Sequence, residues 1–127
     1  MIPLHVHSNF SLLEGIIPVE QLVKRAKKLK LHSIAITDTN AMNGVIQFAK
    51  IAKENGIKPI IGTQIDDPTD KSNYILLLAK NYKGYSDICK IITSRKLNDD
   101  FSLHSIFKDY WRNLIIITPS VCKNLKM

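Results

Sequence analysis

Short β-rich runs alternate with amphipathic helical stretches along the chain, and this alternation constrains the fold more than any other feature. Ile2 to Ser8 reads as a first strand, Ser33 to Thr37 as a second, and Pro59 to Gly62 as a third. Tyr74 to Ala79 and Leu114 to Thr118 read as a fourth and a fifth. Between the first two, Val19, Leu22, Val23, Ala26 and Leu29 share one face of a helix. Pro18 suits the first position of that helix and Glu20 its positive dipole end, while lysines gather at the other end. A second helix spans about Met42 to Glu54, with Val45, Phe48, Ala49 and Ala52 inward and Gly56 as its stop. Tyr85, Ile88, Cys89 and Ile92 mark a third helix, and Leu103 to Tyr110 a short fourth. Asp66 to Asn73 reads as a polar loop. Strands separated by helices predict mostly parallel pairing through right-handed crossovers, hence an α/β domain.

With 127 residues, the chain holds at most one domain. No apolar run approaches the roughly 18–20 residues of a membrane span. A start that enters the first strand directly, with no basic-then-apolar leader, reads as cytoplasmic. Cys89 and Cys122 lack a CxxC spacing and read as reduced core thiols. The net charge of +7 invites a nucleic-acid reading. However, Lys24, Arg25, Lys27, Lys28 and Lys30 share a helix with an apolar stripe, and no aromatic residues are interleaved among them. A solvated helix face accounts for them better than a phosphate-binding patch.

The chemistry-bearing feature is His5-Val6-His7-Ser8. Side chains alternate across a strand, so both imidazoles face one way, about 6–7 Å apart at the Cα level. Two ligands of one metal centre have this arrangement, and so does a pair of solvent-facing histidines; spacing alone does not separate them. In a parallel sheet, functional groups collect where strands end at their carboxyl edge. There stand His5, His7 and Ser8, then Asp38-Thr39-Asn40, then Thr63 and Gln64. Any α/β domain carries polar residues in such places.

The runs Leu4 to Gly15 (Leu-His-Val-His-Ser-Asn-Phe-Ser-Leu-Leu-Glu-Gly), Leu22 to Ala26, Ala35 to Asp38 and Gly56 to Gly62 resemble, in order, the PHP (polymerase and histidinol phosphatase) domain. The branch most similar is the one at the N-terminus of bacterial DNA polymerase III alpha subunits; Gly56-Ile57-Lys58-Pro59-Ile60-Ile61-Gly62 and Leu76 to Asn81 followed by Gly84-Tyr85 carry that likeness. The resemblance implies a distorted (β/α)7 barrel around a cluster of zinc or manganese ions that activates water against phosphoesters. It implies metal ligands at His5 and His7, and at Glu14, where that branch usually has Asp. Three further ligand positions depart from the pattern: Thr39 and Tyr74 replace histidines, and Thr63-Gln64 replace Cys-Glu. His32 and His104 align with no ligand.

The resemblance therefore implies a degenerate site with no catalytic residues of its own, leaving room for one weakly bound zinc or manganese at His5, His7 and Glu14. It implies a structural and interaction role in DNA replication. The partners it implies are the remainder of the polymerase subunit and the proofreading exonuclease subunit, with DNA met indirectly and no membrane. The parent protein would be a DNA-directed DNA polymerase, a nucleotidyltransferase whose active site these residues do not include. The alternatives are a free-standing metal-dependent phosphoesterase of the histidinol phosphatase type and a basic nucleic-acid-binding module. Five strands fall short of a closed barrel, so residues 1–127 are expected to form the N-terminal part of an incomplete PHP domain with an open strand edge.

Overall fold

The computed structural model describes residues 18–42 and 44–118. The expected first strand, with His5 and His7, and the position of Glu14 lie outside the described residues. The described chain runs α1 (Val19–Lys28), β1 (Ser33–Thr39), α2 (Val45–Glu54), β2 (Lys58–Asp66), β3 (Tyr74–Ala79), α3 (Tyr82–Leu97), α4 (Leu103–Asp109) and β4 (Leu114–Ile117), with a single 3-10 turn at Trp111–Asn113 before β4. The strands form one sheet in the order β1-β2-β3-β4. No described helix is long and apolar enough to cross a membrane.

The pairing corrects the expectation of a mostly parallel sheet. β1 and β2 are parallel, Ser33 opposite Lys58 through Thr39 opposite Gln64. β2 and β3 are antiparallel, Gly62 opposite Leu78 and Asp66 opposite Tyr74, and β3 and β4 are antiparallel as well. Two physical reasons account for this. The segment 67–73 is too short for a helical crossover, so β2 must return as a hairpin. It is held shut by the Asp67 N–H donating to the Asn73 carbonyl at 2.8 Å and by Asp67 and Asp70 accepting from Thr69 and Ser72. Between β3 and β4 the chain makes two helical passes, α3 outward and α4 back. It therefore re-enters the sheet at the end where β3 left it, with Leu114 opposite Ala79.

Strand alternation sorts the sheet residues between two faces. All four helices pack on one face. Ile34 and Ile36 meet Val19, Val23, Val45 and Phe48 from α1 and α2. Ile65, Ile75, Leu77 and Leu114 meet Ile88, Ile91, Leu103 and Ile106 from α3 and α4. The opposite face carries Ala35, Thr37, Gly62, Gln64, Leu76 and Leu78, which are also buried. A sheet that is buried on both faces is an inner layer, as a barrel wall is. Gly62 is required where β2 meets β3, because a side chain there would run into the Leu77 carbonyl and the Leu78 side chain.

Helix boundaries follow local chemistry. Pro18 sits one position earlier than expected, capping α1 through its carbonyl, and Leu29 is exposed past the end of the apolar stripe. α1 and α2 stop in the same way. The Leu31 N–H donates to the Ala26 carbonyl and the Lys30 N–H to that of Lys27; Ile57 and Gly56 repeat this with Ala52 and Lys53. These are Schellman caps, whose central residue takes a positive φ. It is 72° at Gly56 and 59° at Lys30. α3 starts at Asn81, whose side chain accepts from the Gly84 N–H.

The two caps place different residues at the positive-φ position, Lys30 and Gly56, which yields a paired prediction. Left-handed backbone costs a side-chain-bearing residue about 1 kcal/mol. Lys30→Gly should stabilise the chain by about that amount and Gly56→Ala should destabilise it similarly. Urea unfolding of the two variants beside the parent checks both signs.

Candidate functional site

The carboxyl ends of the parallel pair and the start of β3 meet at one end of the sheet, and there the described polar residues converge. Asp38, Thr39, Thr63 and Gln64, expected just past the strands, lie within β1 and β2, because the ladder continues through them. The alternation of Thr63, Gln64, Ile65 and Asp66 is that of a strand inside a sheet, although its polarity reads as loop. Thr37, Asp38, Thr63, Gln64 and Asp66 are all buried.

The register places the three departures from the metal-ligand pattern side by side. Thr39 stands opposite Gln64, and Tyr74 stands opposite Asp66, two residues further along β2. By alternation Thr39, Gln64 and Tyr74 all fall on the face away from the helices. They form one contiguous patch on the inner side of the wall. Thr63 is on the other face, where its hydroxyl donates to the Asp38 carbonyl at 2.7 Å. His32, which aligns with no ligand, stands at the far end of the sheet, its carbonyl accepting from the Lys58 N–H.

An Asp66–Asn40–Arg95 network closes the polar end. The Arg95 guanidinium gives Nη2 to Asp66 Oδ1 at 2.8 Å, Nε to the same oxygen at 3.2 Å and Nε to the Asp66 carbonyl at 2.8 Å. Asn40, just past β1 at φ 49°, donates Nδ2 to Asp66 Oδ1 at 2.7 Å and accepts from the Asp66 N–H through Oδ1 at 3.3 Å. Its backbone N–H donates to the Gln64 carbonyl at 2.7 Å. Asn40 thereby continues the β1–β2 ladder after the strand has turned away, in a conformation that Asn tolerates better than most residues. Sequence reasoning missed Arg95 altogether and placed Asp66 in a loop. The available signals were the β-like alternation through Asp66 and an arginine in the last turn of α3.

These groups do not suit a cluster of cations. A carboxylate oxygen that already accepts from a guanidinium and an amide has its charge neutralised, and the guanidinium repels any metal brought beside it. Gln64 offers a neutral amide oxygen and Thr39 a neutral hydroxyl, neither able to bridge metal ions as a carboxylate does. Among the described residues no three His, Cys, Asp or Glu side chains come together to hold a metal ion. His5, His7 and Glu14, the expected ligands, lie outside the described residues.

The Asp66–Arg95 pair is largely buried, its side chains 7% and 15% exposed. Removing one partner leaves a desolvated charge without compensation. Arg95→Met is expected to destabilise the chain by about 3 kcal/mol, and adding Asp66→Asn to recover much of that loss. Thermal denaturation of the single and double variants reads out the coupling.

The PHP domain family profile matches residues 3–124. DNA polymerase III subunit alpha of Borreliella burgdorferi is 38% identical over 120 residues, covering 85% of this chain and 10% of the relative. The subunit of the same name from Bacillus subtilis is 39% identical over 121 residues, covering 91% and 11%. This chain thus spans about a tenth of the length of these relatives. Among solved structures, a protein described as a metal-dependent phosphoesterase from Bifidobacterium adolescentis superposes with a TM-score of 0.56 at 24% identity, over 85% of this chain and 38% of that one. That superposition supports the α/β fold. With a family match running over almost its whole length, the chain belongs to the PHP domain family.

Proposed function

We propose that this chain is the N-terminal PHP portion of a replicative DNA polymerase III alpha subunit, silent as a phosphoesterase and retained for architecture and protein contact. The observation that carries this reading is the contiguous patch of Thr39, Gln64 and Tyr74 on the inner face of the sheet, closed by the neutralised Asp66–Arg95 pair. Likeness to polymerase alpha subunits over most of the chain supports the parent assignment. On this reading the partners are the rest of the alpha subunit and the proofreading exonuclease subunit, DNA is met through them, and the chain works in the cytoplasm. Any bound metal is a single zinc or manganese held weakly by His5, His7 and Glu14, since two imidazoles and one carboxylate can fill a mononuclear site but not a cluster.

Two measurements test the silent site. Hydrolysis of a chromogenic phosphoester with added zinc or manganese is expected to stay at background; turnover abolished by His7→Ala would favour the free-standing phosphoesterase. In calorimetric titration, zinc is expected to give at most one weak site, lost in His5→Ala, and two or more tight sites would overturn the assignment.

We also propose that the chain is an incomplete barrel. β4 stands at one end of the strand order, and Ile115 on its inner face is 48% exposed, an apolar position that a further strand would cover. A version extended by its natural downstream residues is expected to melt at a higher temperature and to sediment as a monomer, whereas residues 1–127 alone self-associate. Equal melting and a clean monomer for the shorter chain would count against it.

A further inference from the structure

The fold separates the charges of this chain between the two ends of the sheet. At the end where β1 and β2 begin, α1 closes with Lys27 and Lys28 and leads through Lys30 into β1. Lys53 in the last turn of α2 precedes Lys58 at the start of β2. β3 returns to the same end and runs into Lys80, Lys83 follows in the first turn of α3, and Arg112 precedes β4. All of these cations are exposed. The carboxylates gather at the other end: Asp66, Asp67 and Asp70 at the hairpin, Asp99 and Asp100 after α3, Glu20 at the start of α1. At the basic end the described carboxylates are Glu54 and Asp109, and among the described residues none of these cations is in an ion pair. In the same region Tyr82 is 84% exposed and Trp111 55%. The Arg112 guanidinium lies 5.7 Å from the centre of the Trp111 ring. The Lys80 N–H donates to the Asn113 carbonyl at 3.0 Å, which ties the approach to α3 to the turn that carries Trp111.

From this juxtaposition we infer that the basic end of the sheet binds single-stranded nucleic acid, its phosphates on the cations and its bases against Tyr82 and Trp111. In the linear sequence the lysines of α1 stand without aromatic neighbours and read as a solvated face. The fold supplies both the further cations and the rings. Point charges on several elements, spread across about 14 Å from β1 to β4, suit a flexible chain of phosphates. A duplex hides the faces of its bases from the two rings, and a peptide of Asp and Glu matches the cations alone. The strands missing from the barrel do not cover this surface. They would extend the sheet sideways from β4, whereas the cations lie along the end of the sheet as far as α1, beside β1 at the opposite edge. An apolar covering would also strip water from ammonium groups that have no counter-charge. The inference goes beyond the function proposed above, in which DNA is met through partners. It gives the chain a phosphate contact of its own, whether or not the metal site is silent.

The probe is a fluorescein-labelled oligothymidylate of about 15 nucleotides, titrated by anisotropy against the whole 127-residue chain. It is expected to bind at about 50 mM salt, with log affinity falling against log salt at a slope of about −3. Trp111 is the only tryptophan of the chain, so quenching of its fluorescence by unlabelled oligothymidylate reports binding at this end. Affinity is expected to fall about tenfold, and the slope to flatten by about 1.4, in Lys28→Gln/Lys53→Gln and in Lys83→Gln/Arg112→Gln. Trp111→Leu is expected to lose about tenfold with the slope unchanged. Lys71→Gln/Lys96→Gln removes the same charge from exposed positions at the opposite end and is expected to bind as the parent does. All the replaced side chains are exposed, and unaltered far-UV circular dichroism establishes that the variants fold. Absence of binding, or an equal loss in Lys71→Gln/Lys96→Gln, would overturn the inference. So would tighter binding of a duplex of the same length, or displacement by polyglutamate as effective as by unlabelled oligothymidylate.

Discussion

β2 is the strand on which the rest of the structure depends. It pairs in parallel with β1 along its first seven residues and antiparallel with β3 along its last five, so its central part satisfies backbone groups on both sides. That double pairing requires the close approach at Gly62, which no larger residue permits without displacing β3. It also decides which side chains face which way. A shift of one residue in β2 would move Gln64 to the helix-covered face and Ile65 to the inner one.

The polar end of the sheet is held together by groups of opposite charge within the chain. Arg95 reaches from the last turn of α3 to the end of β2, and Asn40 bridges the same aspartate to the end of β1. The guanidinium offsets the carboxylate charge within the chain itself. The arrangement fixes the ends of β1, β2 and α3 relative to one another.

Much of the fold was legible in the sequence because its signals are local. β3 and the buried stripe of α1 followed from hydrophobic period, and the stop of α2 followed from Gly56. The matching stop at Lys30 was not legible, since a lysine at positive φ carries no local mark and is held there by the Schellman hydrogen bonds. Strand direction was misread although its signals were present: segment 67–73 is too short for a crossover, and the two helices expected between β3 and β4 bring the chain back to the end of the sheet it left. At the site, the motif positions Thr39, Gln64 and Tyr74 were legible as departures, yet their adjacency on one face depended on register. The Arg95 contact joins residues far apart in sequence and leaves no periodic trace.

The β2–β3 hairpin has a consequence for the order in which the molecule assembles. Its loop is short and internally hydrogen-bonded, so the hairpin closes at small entropic cost and can form on the microsecond scale. Pairing β1 with β2 instead requires α2 to form and pack, and seating β4 requires both α3 and α4 to be in place. The most local element of the sheet is therefore also its centre. Growth from that centre toward both edges presents each later strand with a template already in register, which limits the chance that an apolar strand such as β4 pairs with the wrong neighbour.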